Sequence, residues 1–522
     1  MVRTRFAPSP TGYLHIGGVR TALYNWLFAR RHGGRFVLRI DDTDQERNVE
    51  EALAPILRGF RWLGIDWDEG VEVGGDHGPY RQSQRQDRYR AAVETLLERG
   101  LAYRDYATPE ELQAEREAAQ AEKRRFTYSR KWLARTDEER ARFESEGRRA
   151  SVRLLMPREG RCRFVDLVRG EMDFEWAQEQ DHVIQRADGS CLYHLASVVD
   201  DHAMLISHVI RAEEHLSNTP RQIFIARGLG CDLPEYAHLP VVAEPGSKNK
   251  LSKRKLAKYL KNRDFAELNE HGRAIAERIG VETSAEGFNP VIVDFYEQVG
   301  YLPDALVNYL LLLGWSLDDR TEILTRREMI DNFSLERVNK APASFDPKKL
   351  TAFQERYMEA VPLEDKVARV LPYLQRAGIL PSPTPPEVGA RLARVVRAAG
   401  ERIKVAGDIL SFSEFFLPDD RLPYDEKALA KRIGKPPEAA ALLARLRERL
   451  AATDAFDEDS LDRLLREFVE SEGIKIGQII HAVRVAVTGK AVGFGLFEAL
   501  AILGREQSLA RIDRALALAK GE

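Results

Sequence analysis

The sequence predicts an α/β protein. Strands alternating with helices build a parallel sheet covered on both faces; a mixed α/β insert interrupts it and an all-helical region follows. Three observations carry this. Strand–turn–helix units recur from residue 3 to 102 and again from 193 to 256. The stretches rich in chemically capable residues follow strand ends, where open α/β sheets place their ligand crevice. After Phe345, Ala, Leu, Arg and Glu dominate, broken at Pro381-Ser-Pro-Thr-Pro-Pro386, Leu417-Pro418 and Lys435-Pro436-Pro437, as helices separated by prolines would be.

Arg3 to Ala7 is the first strand. Val19 to Arg31 is the first helix, with Val19, Ala22, Leu23, Trp26 and Leu27 on one face at three–four spacing, and Gly33-Gly34 ends it. Between them, Gly17 and Gly18 leave room for an anion at a helix amino end, with His15 at its mouth. Phe36 to Ile40 is a second strand running into Asp41-Asp42-Thr43-Asp44. Asp44 reads as a helix cap, whereas Asp41 could hold Mg²⁺, bind a substrate ammonium or cap. Glu50 to Leu63 and Gln86 to Arg99 are amphipathic helices, each ended by glycine.

From Tyr103 to Leu192 the character changes: a polar helix over 110–125, then short strand-like runs at 151–155, 162–168 and 181–184. Tyr193 to Val199 is apolar-rich and ends in Asp200-Asp201-His202. His208 to Ile210 is a strand followed by Arg211, 220–229 a helix, and Tyr236 to Val242 a strand leading into a loop with Lys250-Leu251-Ser252-Lys253-Arg254. The basic run from Lys248 to Arg263 is a solvated face or a phosphate contact; Lys250 and Lys253 are assigned to phosphate. Residues 258–290 read as a polar insertion without a role, and 293–333 as packed helices.

The chain has 522 residues, too many for one core, so three or more domains are expected. Apolar residues are 44%, charged residues 31% and the net charge is -3, so any nucleic-acid surface must come from local clustering of cations. Cys162, Cys191 and Cys231 lie too far apart for a disulfide framework or a Cys-x-x-Cys pair, which fits a reducing, cytoplasmic setting. No signal peptide and no run of about 18 apolar residues is expected.

Arg5-Phe6-Ala7-Pro8-Ser9-Pro10-Thr11-Gly12 with His15-Ile16-Gly17-Gly18, paired with Lys250-Leu251-Ser252-Lys253-Arg254, resembles the HIGH and KMSKS signatures of class I aminoacyl-tRNA synthetases. With Arg39-Ile-Asp-Asp-Thr-Asp44, Gly78-Pro-Tyr-Arg-Gln-Ser83 and Val209-Ile-Arg-Ala-Glu-Glu214, the chain is similar to bacterial glutamyl-tRNA synthetases over almost its whole length. The resemblance implies a Rossmann-like catalytic domain in two halves, 1–102 and 193–256. It also implies an acceptor-binding insert at 103–192, a helical stem-contact domain at 257–345, and an anticodon-binding region at 346–522 in two subdomains meeting near 375–390.

It further implies ATP with Mg²⁺, L-glutamate and tRNA(Glu), with tRNA(Gln) an open second acceptor, no membrane, and a monomer. By carry-over, Arg5, Ala7, Ser9, Asp41, Tyr193, Ser197 and Arg211 would hold glutamate. Asp41 stands where glutamate is commoner, and Ser197 where relatives have asparagine. His15, Gly17, Gly18, Glu214, Ala243, Lys250 and Lys253 would hold ATP, with His15, Lys250 and Lys253 catalytic. Some relatives carry a cysteine-ligated zinc after positions matching Ala102-Tyr103. Arg104-Asp105-Tyr106-Ala107 has no cysteine nearby, so no structural zinc is expected. Two rivals lack support in length or motifs: a tRNA-independent HIGH-type nucleotidyltransferase, and a catalytically inactive synthetase-like tRNA-binding protein.

Overall fold

The structure is a computed structural model describing residues 1–10, 12–43, 53–285, 287–436 and 438–520, with the side chain of Lys253 undescribed. Two compact units are distinguished. The first comprises 1–265, 289–294 and 306–347; the second comprises 266–288, 295–305 and 348–522.

In the first unit, β1 (Arg3–Phe6), α1 (Ile16–Arg31), β2 (Arg35–Leu38), α2 (Leu53–Trp62) and β3 (Glu69–Gly70) form a parallel three-stranded sheet with its helices, in the order β1-β2-β3. Next come α3 (Gln86–Glu98), β4 (Ala102–Asp105), α4 (Pro109–Ala121), α5 (Asp137–Ser145), β5 (Ser151–Leu154), β6 (Arg161–Asp166), β7 (Gly170–Glu175) and β8 (Val183–Gln185). They are followed by α6 (Tyr193–Ala203), β9 (His208–Ala212), α7 (Thr219–Leu229), β10 (Glu235–Leu239) and β11 (Val242–Ala243). A second sheet runs β7-β6-β10-β9, with β7 antiparallel to β6 and the other neighbours parallel. β4, β5 and β8 make a small antiparallel sheet.

The larger sheets meet where the N–H of Ser207, just before β9, donates to the carbonyl of Arg3 at 3.0 Å. Further along, Asn25 of α1 closes the junction: its amide donates to Ile210 O at 2.9 Å, and its carbonyl accepts from the Thr4 hydroxyl at 2.9 Å. Strand order reverses at this junction, which is where doubly wound sheets place ligands.

Differences from the sequence reading have local causes. α1 begins three residues early because His15 caps it. The apolar stretch 193–199 is the first part of α6, which carries Asp200 and Asp201 into the core. β7 has a half-exposed, half-charged pattern that masked it, and with β6 it extends the core sheet from within the segment read as an insert.

Beyond α8 (Leu256–Tyr259) the helices are α9 (Arg263–Arg278), α10 (Val293–Val299), α11 (Pro303–Leu311) and α12 (Arg326–Asn332). β12 (Ala343–Ser344) then pairs in parallel with β11 in the first unit. The remainder is helical: α13 (Pro347–Glu359), α14 (Leu363–Arg376), α15 (Pro386–Ala399), 3-10 turns over 406–415, α16 (Glu426–Leu429), α17 (Ala439–Ala452), α18 (Glu458–Ser471), α19 (Ile480–Thr488) and α20 (Leu496–Lys520). Most of α9, read as part of an insertion without a role, is a packed member of the second unit. Gly272 lies so close to Phe295, and Gly407 to Ile275, that a Cβ at either would fall within 2.5 Å of the neighbour.

Candidate active site

A cavity of about 710 Å³ opens at the carboxyl ends of β1 and β9, within the first unit. It is lined by Arg5, Ala7, Ser9, His15, Gly17, Gly18, Asp41, Tyr193, Ser197, Arg211, Glu214, Lys250, Leu251, Ser252 and Arg254. Positions more than two hundred residues apart in sequence thus share one wall. Pro8, Pro10 and Ile16 lie in the frame behind it; Gly12 turns with φ 133°. Thr11 and Asp44, and the side chain of Lys253, lie outside what the structure describes.

At the amino end of α1, His15 Nδ1 accepts the N–H of Gly17 at 3.0 Å. Ile16 N–H goes to Val291 O at 3.0 Å. The N–H of Gly18 is therefore the one first-turn donor without a partner among the described residues. Both glycines line the cavity, and the Gly17 N–H is the one that His15 engages. Because Nδ1 accepts, the proton of a neutral His15 sits on Nε2.

Four charges form the floor. Asp201 accepts from Arg5 Nε at 3.1 Å and Nη2 at 3.2 Å, and from Arg39 Nη1 at 2.7 Å. Arg39 Nε donates to Asp41 at 2.7 Å. Burial alone would raise the Asp201 pKa, but the two arginines outweigh it and hold it below the ordinary carboxylate range. Asp41 ends the other way: burial pushes it up to about 6 despite Arg39. Asp41 therefore lines the cavity as expected, yet its carboxylate is already engaged by Arg39.

Arg211 differs from Arg5. It is 6% exposed, and among the described residues no carboxylate bonds to it. Its Nε donates to His238 Nε2 at 3.0 Å and its Nη2 to Thr219 Oγ1 at 2.8 Å. Burial lowers its pKa, as expected for a cation lacking a counter-charge. Beside it, burial and then the Arg211 charge push His215 down to about 4.

Across the mouth, Lys250 Nζ contacts both oxygens of Glu214, at 2.9 and 2.6 Å. Glu244 anchors this loop: hydrogen bonding from Lys258 holds its carboxyl down to about 2, and it accepts from Asn249 at 3.2 Å. Ala243 is the other departure. It is fully buried, its carbonyl accepts the N–H of Phe345 at 2.9 Å, and Val241 and Val242 line the cavity in its place. Among the described residues no group of three or more His, Cys, Asp and Glu is placed to hold a metal ion.

Sequence reasoning missed Asp201, Arg39, Thr219, His238 and Asp166 as members of this assembly. Asp200-Asp201 stood out as charged residues closing an apolar run, but their partners are 111–196 residues away.

Comparison with known proteins follows the same outline. Residues 1–284 and 288–352 match the family described as tRNA synthetases class I (E and Q), catalytic domain; residues 365–516 match an anticodon binding domain. The chain is 44% identical to a glutamate–tRNA ligase of Moorella thermoacetica over 514 residues, 98% of each chain. It is 43% identical to one of Desulforudis audaxviator over 519 residues, 99% of this chain and 96% of the relative. The crystal structure of a glutamate tRNA ligase from Elizabethkingia meningosepticum, in complex with its amino acid, superimposes with a TM-score of 0.82 at 32% identity, covering 99% of both chains. End to end, in sequence and in fold, the chain belongs to the glutamate–tRNA ligases of the class I tRNA synthetase family.

Proposed function

We propose that this protein joins L-glutamate to tRNA(Glu) in two steps, through a glutamyl-adenylate and transfer to the 3′-terminal adenosine. Similarity to ligases of that name over the full chain supports the reaction. The observation within the site that carries it is Arg211: a buried guanidinium with no carboxylate partner among the described residues, facing a cavity. A substrate carboxylate supplies the missing charge, and bidentate geometry suits it.

Activation is attack of the glutamate α-carboxylate on the α-phosphorus of ATP, which enters as the magnesium complex. Charge builds on the phosphate oxygens, so the site positions two anions and stabilises that charge. In this reading Arg5 and Arg211 take the two carboxylates of glutamate, and Asp41 the ammonium. Ala7, Ser9, Tyr193 and Ser197 complete the pocket. His15 and the N–H of Gly18 meet the α-phosphate side; Lys250 and Lys253 meet the leaving pyrophosphate once Lys250 exchanges Glu214 for it. Glu214 and the 241–243 backbone border the nucleoside. The catalytic halves are 1–102 and 193–256, with 103–192 meeting the tRNA acceptor, 257–345 its stem and 346–522 its anticodon. A cytoplasmic monomer is the acting form.

The test is charging with labelled glutamate on purified tRNA(Glu) and tRNA(Gln) separately, with K253A as control. Charging lost in K253A supports the reaction, and the tRNA(Gln) arm reads discrimination. Tight tRNA binding without charging by the unmodified chain would overturn it.

A further inference from the structure

Behind Arg211 lies a chain of buried groups outside the lining of the cavity. Asp166 ends β6 and His238 lies in the neighbouring strand β10; both are essentially unexposed. Asp166 Oδ2 meets His238 Nδ1 at 2.6 Å, and His238 Nε2 meets Arg211 Nε at 3.0 Å. An arginine only donates, so Nε2 must accept and the proton must sit on Nδ1, donated to Asp166. The Thr219 hydroxyl stands 3.2 Å from the same Nε2 and also receives Arg211 Nη2. Burial lowers the His238 pKa in spite of Asp166, which keeps the ring neutral.

We propose that Asp166 and His238 are positioning residues for substrate recognition: a neutral imidazole, locked in one tautomer by Asp166, aims Arg211 without giving it a counter-charge. A carboxylate in direct contact would orient the arginine equally well, but it would neutralise the charge the substrate must find. The imidazole separates the two tasks. This rests on the reading of Arg211 as a glutamate-binding residue.

The geometry yields a discriminating variant. Asp166 Oδ1 accepts three backbone N–H groups, from Val168 at 3.0 Å, Arg169 at 2.8 Å and His238 at 3.2 Å. In D166N those donors hold the amide oxygen at the Oδ1 place, so the amide nitrogen faces His238 Nδ1. The ring then shifts its proton to Nε2, where it confronts the Arg211 Nε–H. The side chain is isosteric, and a change of tautomer alone suffices to disable such a site.

The measurement is steady-state charging of tRNA(Glu) by the full chain, with KM for glutamate and for ATP taken separately. D166N is expected to raise the glutamate KM by about tenfold or more, the scale of a hydrogen bond to a charged group, with the ATP KM within about twofold. H238A is expected to do the same. H238Q, whose amide oxygen can replace Nε2, should return it to within about threefold of the unmodified chain. Thermal melting reports folding, and if D166N does not fold the H238A and H238Q pair decides. A glutamate KM unchanged in folded D166N, an equal rise for ATP, or equal KM values in H238A and H238Q would overturn the proposal. R211A separates the two levels: if it too leaves the glutamate KM unchanged, the reading of Arg211 fails rather than the relay behind it.

Discussion

Gly17 and Gly18 look interchangeable in the sequence but face different neighbours. A Cβ on Gly17 would lie 3.2 Å from His15 Nδ1; one on Gly18 would lie 3.5 Å from the Phe6 ring. Alanine favours the helix at both positions. G17A should therefore melt no lower than the parent yet lose about tenfold in kcat, because small misplacements of a reacting group are costly. G18A should keep kcat within about threefold by the same reasoning. Asp41 offers a pH test. With its pKa raised to about 6, its carboxylate is charged above that pH and neutral below. The glutamate KM should rise as pH falls through 6, and D41N should show the raised KM at every pH with that limb gone. Asp41 itself was legible in the sequence as a site residue; that Arg39 and Asp201 decide how much of its charge remains for a substrate was not. Motifs report residues that touch ligands through short stretches of chain. Partners 162 residues distant leave no local trace.

At the scale of elements, the small sheet β4-β5-β8 buries charged groups beside the apolar residues it adds to the main core. Asp181 accepts from the Tyr103 hydroxyl at 2.8 Å, from Arg130 Nε at 2.6 Å and from Met156 N–H at 3.1 Å. Asp105 accepts from Arg153 at 2.6 Å and also bonds Tyr128. Two buried carboxylates thus join strands and loops of this segment. D181A leaves a guanidinium and a tyrosine unpaired in one step. It should cost about 3–5 kcal/mol, read from urea denaturation of the full chain. The strands here were legible only in part. Their alternation is short, with charged residues between the buried apolar ones: Val152 and Leu154 of β5 and Ile184 of β8 enter the main core while Asp105 and Asp181 bury charge beside them. Where helices are amphipathic, as over 86–98, the boundary in the sequence and in the structure differs by a single residue.

At the scale of the molecule, the passage from an α/β to an all-helical part was legible because composition changes along the chain, from alternating strands and helices to Ala-, Leu- and Arg-rich helices. The make-up of the second unit was not, since 266–288 and 295–305 come to it from the middle of the sequence. His271 of α9 joins them to the tail: its Nε2 lies 2.6 Å from Asp408, which also accepts the N–H groups of Lys404 and Val405 at 2.8 and 2.9 Å. Hydrogen bonding to Asp408 raises the His271 pKa above its ordinary 6.5. A raised histidine stabilises the fold fully below pH 6.5 and loses that contribution as pH climbs through the raised value. Melting of the parent should decline over this window relative to H271Q, and the two should run parallel above it.

The same arrangement has a consequence on the ribosome. Residues 306–347 complete the first unit early, but α9 leaves the tunnel 137 residues ahead of Asp408. At roughly 5–20 residues per second that is a wait of about 7–27 s. During it Ile275 of α9 lacks Gly407, the tail residue it packs against, although Phe295 and Val299, which lie against Gly272, are already made. Between these two moments, after the first unit is built and before the tail arrives, the second unit is present only in part.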